Sequence, residues 1–151
     1  MNEVFFEDLK PGQIFSSGTI RVDAEEIKAF AAQYDPQPFH LDETSAQNTF
    51  FRGLAASGWH TAALTMKLLV GSDFKPAGGL IGAGLEELRW PRPVRPGDEL
   101  KIDVEILEVR SSRSRHHQGI AKIKTTTINQ NGKAVQVYVA NIVVLGREKD
   151  L

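Results

Sequence analysis

Ser57-Gly58-Trp59-His60-Thr61-Ala62-Ala63-Leu64-Thr65-Met66-Lys67-Leu68-Leu69-Val70 reads as a helix with apolar residues around most of its axis. A surface helix carries one apolar stripe, so a helix apolar nearly all round is expected to be buried. Burial needs a covering surface, and the second half of the chain offers one. Leu100, Ile102, Val104 and Ile106 alternate with charged residues, the pattern of a half-buried strand. Val135, Val137 and Val139 lie in another strand, and Asn131-Gly132 is a strong hairpin turn before it. Four long strands are expected, roughly over 80–91, 98–110, 118–129 and 134–146. Short connections imply antiparallel pairing. The economical packing is a sheet curled around helix 57–70, an α+β architecture in a single domain over residues 1–151.

The first half is built differently. Lys10-Pro11-Gly12-Gln13 reads as a turn and residues 14–22 as a short extended segment. Asp23 and Glu26 make a capping-box pattern, and Ile27, Phe30 and Ala31 follow at helical spacing, so residues 24–34 form an amphipathic helix. Asp35-Pro36-Gln37-Pro38 ends it, because proline pushes the residue before it out of the helical region. Residues 43–48 are expected to make one or two helical turns, and residues 50–53 a loop.

Composition narrows the function classes. The chain has 151 residues, 41% hydrophobic and 25% charged, which suits one globular domain with a real core. Eighteen basic residues against nineteen acidic ones leave a formal charge of -1, which argues against a nucleic-acid or anionic-membrane binder. There is no cysteine, hence no disulfide, thiolate nucleophile or thiolate metal site. The acidic start, Met1 to Asp8, does not read as a secretory signal, and no apolar run has the length of a membrane helix. A cytoplasmic protein is the expectation.

Two segments carry candidate chemistry. In Asp35-Pro36-Gln37-Pro38-Phe39-His40 a carboxylate and an imidazole stand five residues apart on a segment stiffened by two prolines. Acid–base catalysis needs such groups held within hydrogen-bond reach of a substrate. The plainer reading is that both residues cap local turns. Ser57-Gly58 opens the apolar helix, where unpaired N–H groups and partial positive charge would suit a developing oxyanion. The plainer reading there is an N-cap followed by a glycine that permits close packing.

Taken together, eighteen residues apart from His40 to Gly58, the two segments resemble the MaoC-like (R)-specific enoyl-CoA hydratases. That family shows Asp-x-Asn-Pro-x-His, then a loop ending in the glycine that begins the central helix. Here the matching stretches are Asp35 to Asp42 and Gly53-Leu54-Ala55-Ala56-Ser57-Gly58-Trp59, and Leu88 to Leu100 resembles the family's strand, Pro-Val turn and Pro-Gly-Asp. The likeness covers about residues 5–146. It implies a hot-dog fold that forms a homodimer or a higher assembly of dimers. It also implies hydration of a trans-2-enoyl-CoA thioester, with coenzyme A present only as part of the substrate and no other cofactor. Asp35 and His40 would be the acid–base pair, His40 acting on water and Asp35 handling the proton at the alpha carbon. The Gly58 N–H would hold the thioester oxygen. Gln37 replaces the family's asparagine and Ser57 a common histidine, while Met66 stands where some members have serine. Gln37, Ser57, Trp59 and Met66 are expected to contact the substrate, with Trp59 and Met66 bounding the acyl pocket. A hot-dog thioesterase and a non-catalytic thioester-binding subunit are the alternatives.

Other groups are weaker candidates. His60 is expected to be structural. His116 and His117, with His40 and His60, make no metal-ligand spacing, so no metal is expected. Arg110 to His117 is the one basic run, a solvated hairpin tip or a contact for coenzyme phosphates. Arg89, Arg92 and Arg95 flank the proline-rich turn and are open to either reading.

Overall fold

The computed structural model describes residues 3–115 and 117–147. Its order is a 3-10 turn (Phe6–Asp8), β1 (Ile14–Ser16), β2 (Ile20–Arg21), α1 (Ala24–Tyr34), α2 (Pro38–Leu41), α3 (Glu43–Ala46), α4 (Gly58–Val70), β3 (Ile81–Arg89), β4 (Glu99–Ser111), β5 (Gln118–Ile128) and β6 (Ala134–Leu145). The strands form one antiparallel sheet in the order β1-β4-β5-β6-β3, with β2 also on β4. The helices pack on it, which is the hot-dog arrangement.

The alternation in β4 works as expected. Leu100, Ile102, Val104 and Ile106 are fully buried, each worth about 1.5–3 kcal/mol by removal from water, while Lys101 and Asp103 face outward. The Asn131-Gly132 turn closes the β5–β6 hairpin. Gly132 takes φ 72° there, and its N–H donates to the Asn129 carbonyl at 3.0 Å. Helix α1 starts where the cap predicts, with the Asp23 carboxylate accepting from the Glu26 N–H at 2.8 Å.

Three expectations change. The segment over 14–22 splits into two short strands, both on β4. Asp35 and Gln37 leave the helical region as proline requires, but an unexpected short helix, α2, begins at Pro38, whose fixed φ suits a first turn. His40 therefore rides on one helical turn, while Gln37 before it stays extended at φ −104°, ψ 147°. Most consequential, α4 buries one face rather than nearly all of itself. His60, Thr61, Leu64, Thr65, Leu68 and Leu69 are buried against the sheet, whereas Trp59, Met66 and Val70 are 60%, 48% and 57% exposed. A single sheet covers only one side of a helix, and the apolar residues on the far side lie bare in the isolated chain. Edge strand β3 adds Ile81 and Leu85 to that bare surface.

Candidate active site

His40 is placed by packing from three directions. Its turn follows α1 and Pro36, its ring is 4% exposed, and Phe39 and Phe51 lie against it with centroids at 4.6 and 5.8 Å. The imidazole Nδ1 lies 2.6 Å from the Ala55 carbonyl oxygen. A carbonyl only accepts, so Nδ1 carries a hydrogen, and in the neutral ring Nε2 holds a free lone pair. That lone pair stands 3.4 Å from Oδ2 of Asp35.

The Gln37 amide donates to Oδ1 of the Asp35 carboxylate at 2.6 Å, and the Ser57 hydroxyl lies near enough to the same carboxylate to favour its charge. Partial burial pushes the Asp35 carboxyl up. The hydrogen bonds from Ser57 and Gln37, with the His40 ring beside them, outweigh it and hold the group below its ordinary range. Asp35 is therefore ionised near neutrality. With the ring neutral, an anionic oxygen and an imidazole lone pair face each other, two acceptors that need a donor between them. A water donating one hydrogen to each would satisfy both.

Gln37, His40 and Gly58 line one cavity of about 470 Å³, together with Phe39, Phe51 and Trp90. Asp35 adjoins it through its contacts with Gln37 and His40. As the first residue of α4, Gly58 has an N–H without an intrahelical acceptor. The structure thus brings the three residues expected to do chemistry to one place.

It separates the others. Ser57 is fully buried. Its oxygen accepts from the Trp59 N–H at 3.2 Å and its hydroxyl favours the charged form of Asp35, while it takes no part in the cavity wall. Trp59 and Met66 line a second, apolar cavity of about 390 Å³ between α4 and β3, with Leu85, Leu88 and Tyr138. Gly58 also proves less open than the bare sequence suggests. A Cβ there would fall 2.7–2.9 Å from three carbons of the Trp90 indole, so packing alone demands glycine.

Arg95, ambiguous in sequence, is structural here. Its guanidinium donates to the carbonyls of Phe51, Gly53 and Leu54, which pins the turn carrying the Ala55 carbonyl beneath His40. That turn passes through Arg52 at φ 56°, a conformation side chains rarely adopt. Arg95→Met strands three carbonyls and is expected to lower stability by about 1–3 kcal/mol, read as a shift in the urea midpoint. An unchanged midpoint would show that the clamp carries no energy. The sequence holds no signal for this role, since the partners of Arg95 lie more than forty residues away.

His60, expected to be structural, is buried in the packing between α4 and α1. Its ring stacks on Phe30 at 4.7 Å and its Nδ1 is buried with no partner. Burial pushes its pKa below the ordinary 6.5, so the folded chain keeps it neutral. Below about pH 6.5 the unfolded chain binds a proton that the folded chain refuses, and stability falls with pH in that window. The urea midpoint of the parent protein is expected to drop more between pH 7 and 5.5 than that of His60→Phe. Parallel slopes would remove His60 from the acid sensitivity.

The basic run lies elsewhere. Ser111 ends β4 at its far end from Asp98, thirteen residues or about 40 Å of strand, so within one chain it does not reach the cavity. His116 is outside the described residues. Arg92 does line the cavity, donating to the Ala134 carbonyl at 3.0 Å. Among the described residues, no three His, Asp or Glu side chains group as a metal site, and no helix is long and apolar enough to cross a membrane.

Comparison with known proteins agrees with this geometry. Over 97% of its length the chain superposes on 99% of a MaoC-like dehydratase from Rhodospirillum rubrum, with a TM-score of 0.93 and 51% identity. It is 30% identical to the (R)-hydratase from A. caviae involved in PHA biosynthesis, over 90% of this chain and 97% of that one, with a TM-score of 0.71. It is also 34% identical to the uncharacterized protein YdeM of Bacillus subtilis (strain 168), over 89% of this chain and 92% of that protein. The family described as MaoC like domain matches residues 9–129, and with that span, this sheet and this cavity the chain belongs to the MaoC-like domain family.

Proposed function

We propose that the protein is a hydro-lyase that reversibly adds water to a trans-2-enoyl thioester of the coenzyme A type, giving a 3-hydroxyacyl thioester. The observation that carries this reading is the tautomer of His40. With Nδ1 committed to the Ala55 carbonyl, the basic Nε2 faces an ionised Asp35 across 3.4 Å, beside the cavity that also holds the Gly58 end of α4. A water bound by both groups is poised for deprotonation.

His40 takes one water proton as the oxygen bonds to the beta carbon and the carbon–carbon double bond opens toward the thioester. The oxygen of the resulting enolate gains charge near the Gly58 N–H, where the helix end favours it. The alpha carbon then receives a proton. Asp35 begins ionised, so any proton it delivers has to come from the same water, by way of His40. The water is consumed whole: hydroxyl at the beta carbon, hydrogen at the alpha carbon. No metal or redox step is needed, because the thioester itself makes the alpha carbon acidic.

The reading includes a homodimer. The bare face of α4 and the open edge of β3, bearing Trp59, Met66, Val70, Ile81 and Leu85, would then be shared by two copies. Sedimentation at the mass of one protomer at micromolar concentration would remove it.

Purified protein is mixed with trans-2-enoyl-CoA, and loss of the enoyl absorbance is followed alongside a thiol reagent. Hydration appears as loss of absorbance with no free thiol. Release of free coenzyme A would replace the reading with a thioesterase, and binding without turnover with a non-catalytic carrier of thioesters.

A further inference from the structure

We propose that Trp90, backed by Trp59, is the specificity-determining wall of the catalytic cavity and restricts the protein to short acyl groups. The inference rests on the hydratase reading and concerns its substrate class.

Two cavities meet at the start of α4. Gly58 and Trp90 line the catalytic one, while the adjacent Trp59 and Leu88 line the apolar one between α4 and β3. The two indoles lie edge to face, centroids 5.4 Å apart at 82°, one on each cavity. Together they stand between the space beside His40 and the apolar space that an acyl chain would next enter.

The wall is anchored. The Trp90 indole N–H donates to Oε1 of Gln136 at 2.8 Å. Gln136 is fully buried, and its amide donates to the Thr65 hydroxyl at 3.0 Å. Thr65 shares a 2.7 Å hydrogen bond with Thr127, so the anchor ties α4 to β5 and β6. Swinging the indole aside would leave the Gln136 oxygen buried without a donor. On its other face the ring is pressed against Gly58, which leaves it no room to rotate that way. Trp90 is thus a fixed partition rather than a mobile gate.

The test compares kcat/KM for four-carbon and eight-carbon trans-2-enoyl-CoA in the parent protein, Trp90→Ala and Trp59→Ala. Discrimination by a single methylene in an apolar pocket reaches about 10- to 200-fold. The parent is expected to prefer the four-carbon substrate within that range, and Trp90→Ala to raise the eight-to-four ratio at least about 10-fold. Should Trp90→Ala fail to fold, Trp59→Ala carries the test, with sedimentation at the parent mass as its control, since Trp59 is 60% exposed in the single chain but lies on the face proposed for the homodimer. A general loss of structure lowers both rates and leaves their ratio unmoved. Equal use of both substrates by the parent, or a ratio unmoved in the folded variants, overturns the wall. Absence of hydration with every chain length overturns the hydratase reading instead. In that event calorimetric binding of butyryl-CoA and octanoyl-CoA to the same three proteins decides the wall by itself.

Discussion

Asp35→Asn and His40→Ala are each expected to lower the hydration rate constant about 100- to 10,000-fold while the fold persists. His40→Ala removes the imidazole nitrogen proposed to take the water proton. Asp35→Asn acts less directly. The asparagine amide is nearly the same size, so Gln37 and Ser57 keep a neighbour of the right shape. Its NH2 group can donate to His40 Nε2 across the present 3.4 Å, which occupies the base and displaces the water. The two groups act on one water, so the double variant is expected to lose little more than either single one. Stopped-flow turnover with an enoyl-CoA, with near-parent circular dichroism as the control, checks the prediction. Full activity in either single variant would reject the pair as the catalytic groups.

Gly58→Ala should damage both stability and rate. The added carbon would sit 2.7–2.9 Å from the Trp90 ring, against about 3.5–4.0 Å for an ordinary carbon contact. Neither side yields easily, because the indole is hydrogen-bonded to Gln136 and α4 is pinned by Thr65. Overpacking of this kind costs about 1–3 kcal/mol. That exceeds the gain of about 0.8–1.0 kcal/mol that alanine enjoys over glycine inside a helix, a gain smaller still at the first position. Relief by shifting the helix start would also misplace the N–H proposed to hold the thioester oxygen, and losing such a donor costs about 100- to 1,000-fold in kcat. Thermal melts and turnover read the two effects separately. Pairing Gly58→Ala with Trp90→Ala, which removes the obstructing ring, should make the combined stability loss smaller than the sum of the two single losses. Strict additivity would show that the indole is not the obstacle.

Much of the fold is legible because the physical signals are local. Alternation in Leu100–Ile106 marks β4, Asn131-Gly132 marks its own hairpin, and Asp23 caps α1 through a partner three residues away. Each depends on backbone periodicity or on groups within one turn of chain. The short helix beginning at Pro38 goes unmarked for a related reason. The same fixed φ that ends one helix also suits the start of another, and the choice falls to the residues on its C-terminal side. Helix α4 misleads for a different one. Apolar residues all round predict a cover on every side, but the chain supplies a cover on one.

The candidate site is legible in part. The spacing of Asp35, His40 and Gly58 is readable, and the structure puts His40 and Gly58 on one cavity with Asp35 beside His40. Sequence puts Ser57, Trp59 and Met66 on the same wall, yet Ser57 turns inward to Asp35 and the other two face the opposite cavity. Neighbours on a helix point about 100° apart, so adjacency along the chain is no guide to a shared pocket. The Arg95 clamp and the Trp90 anchor are invisible for a stronger reason. Each joins residues more than forty positions apart, brought together only when the sheet forms.

The chain by itself determined its long strands, its two main helices, their antiparallel pairing and the spacing of the candidate groups, since these arise from periodicity, turn chemistry and motif spacing. Tertiary structure alone decided the hydrogen position on His40, the ionisation of Asp35 and the partition between the two cavities. Those properties depend on a carbonyl, two donors and an indole delivered from distant segments, and such contacts come into existence only with packing.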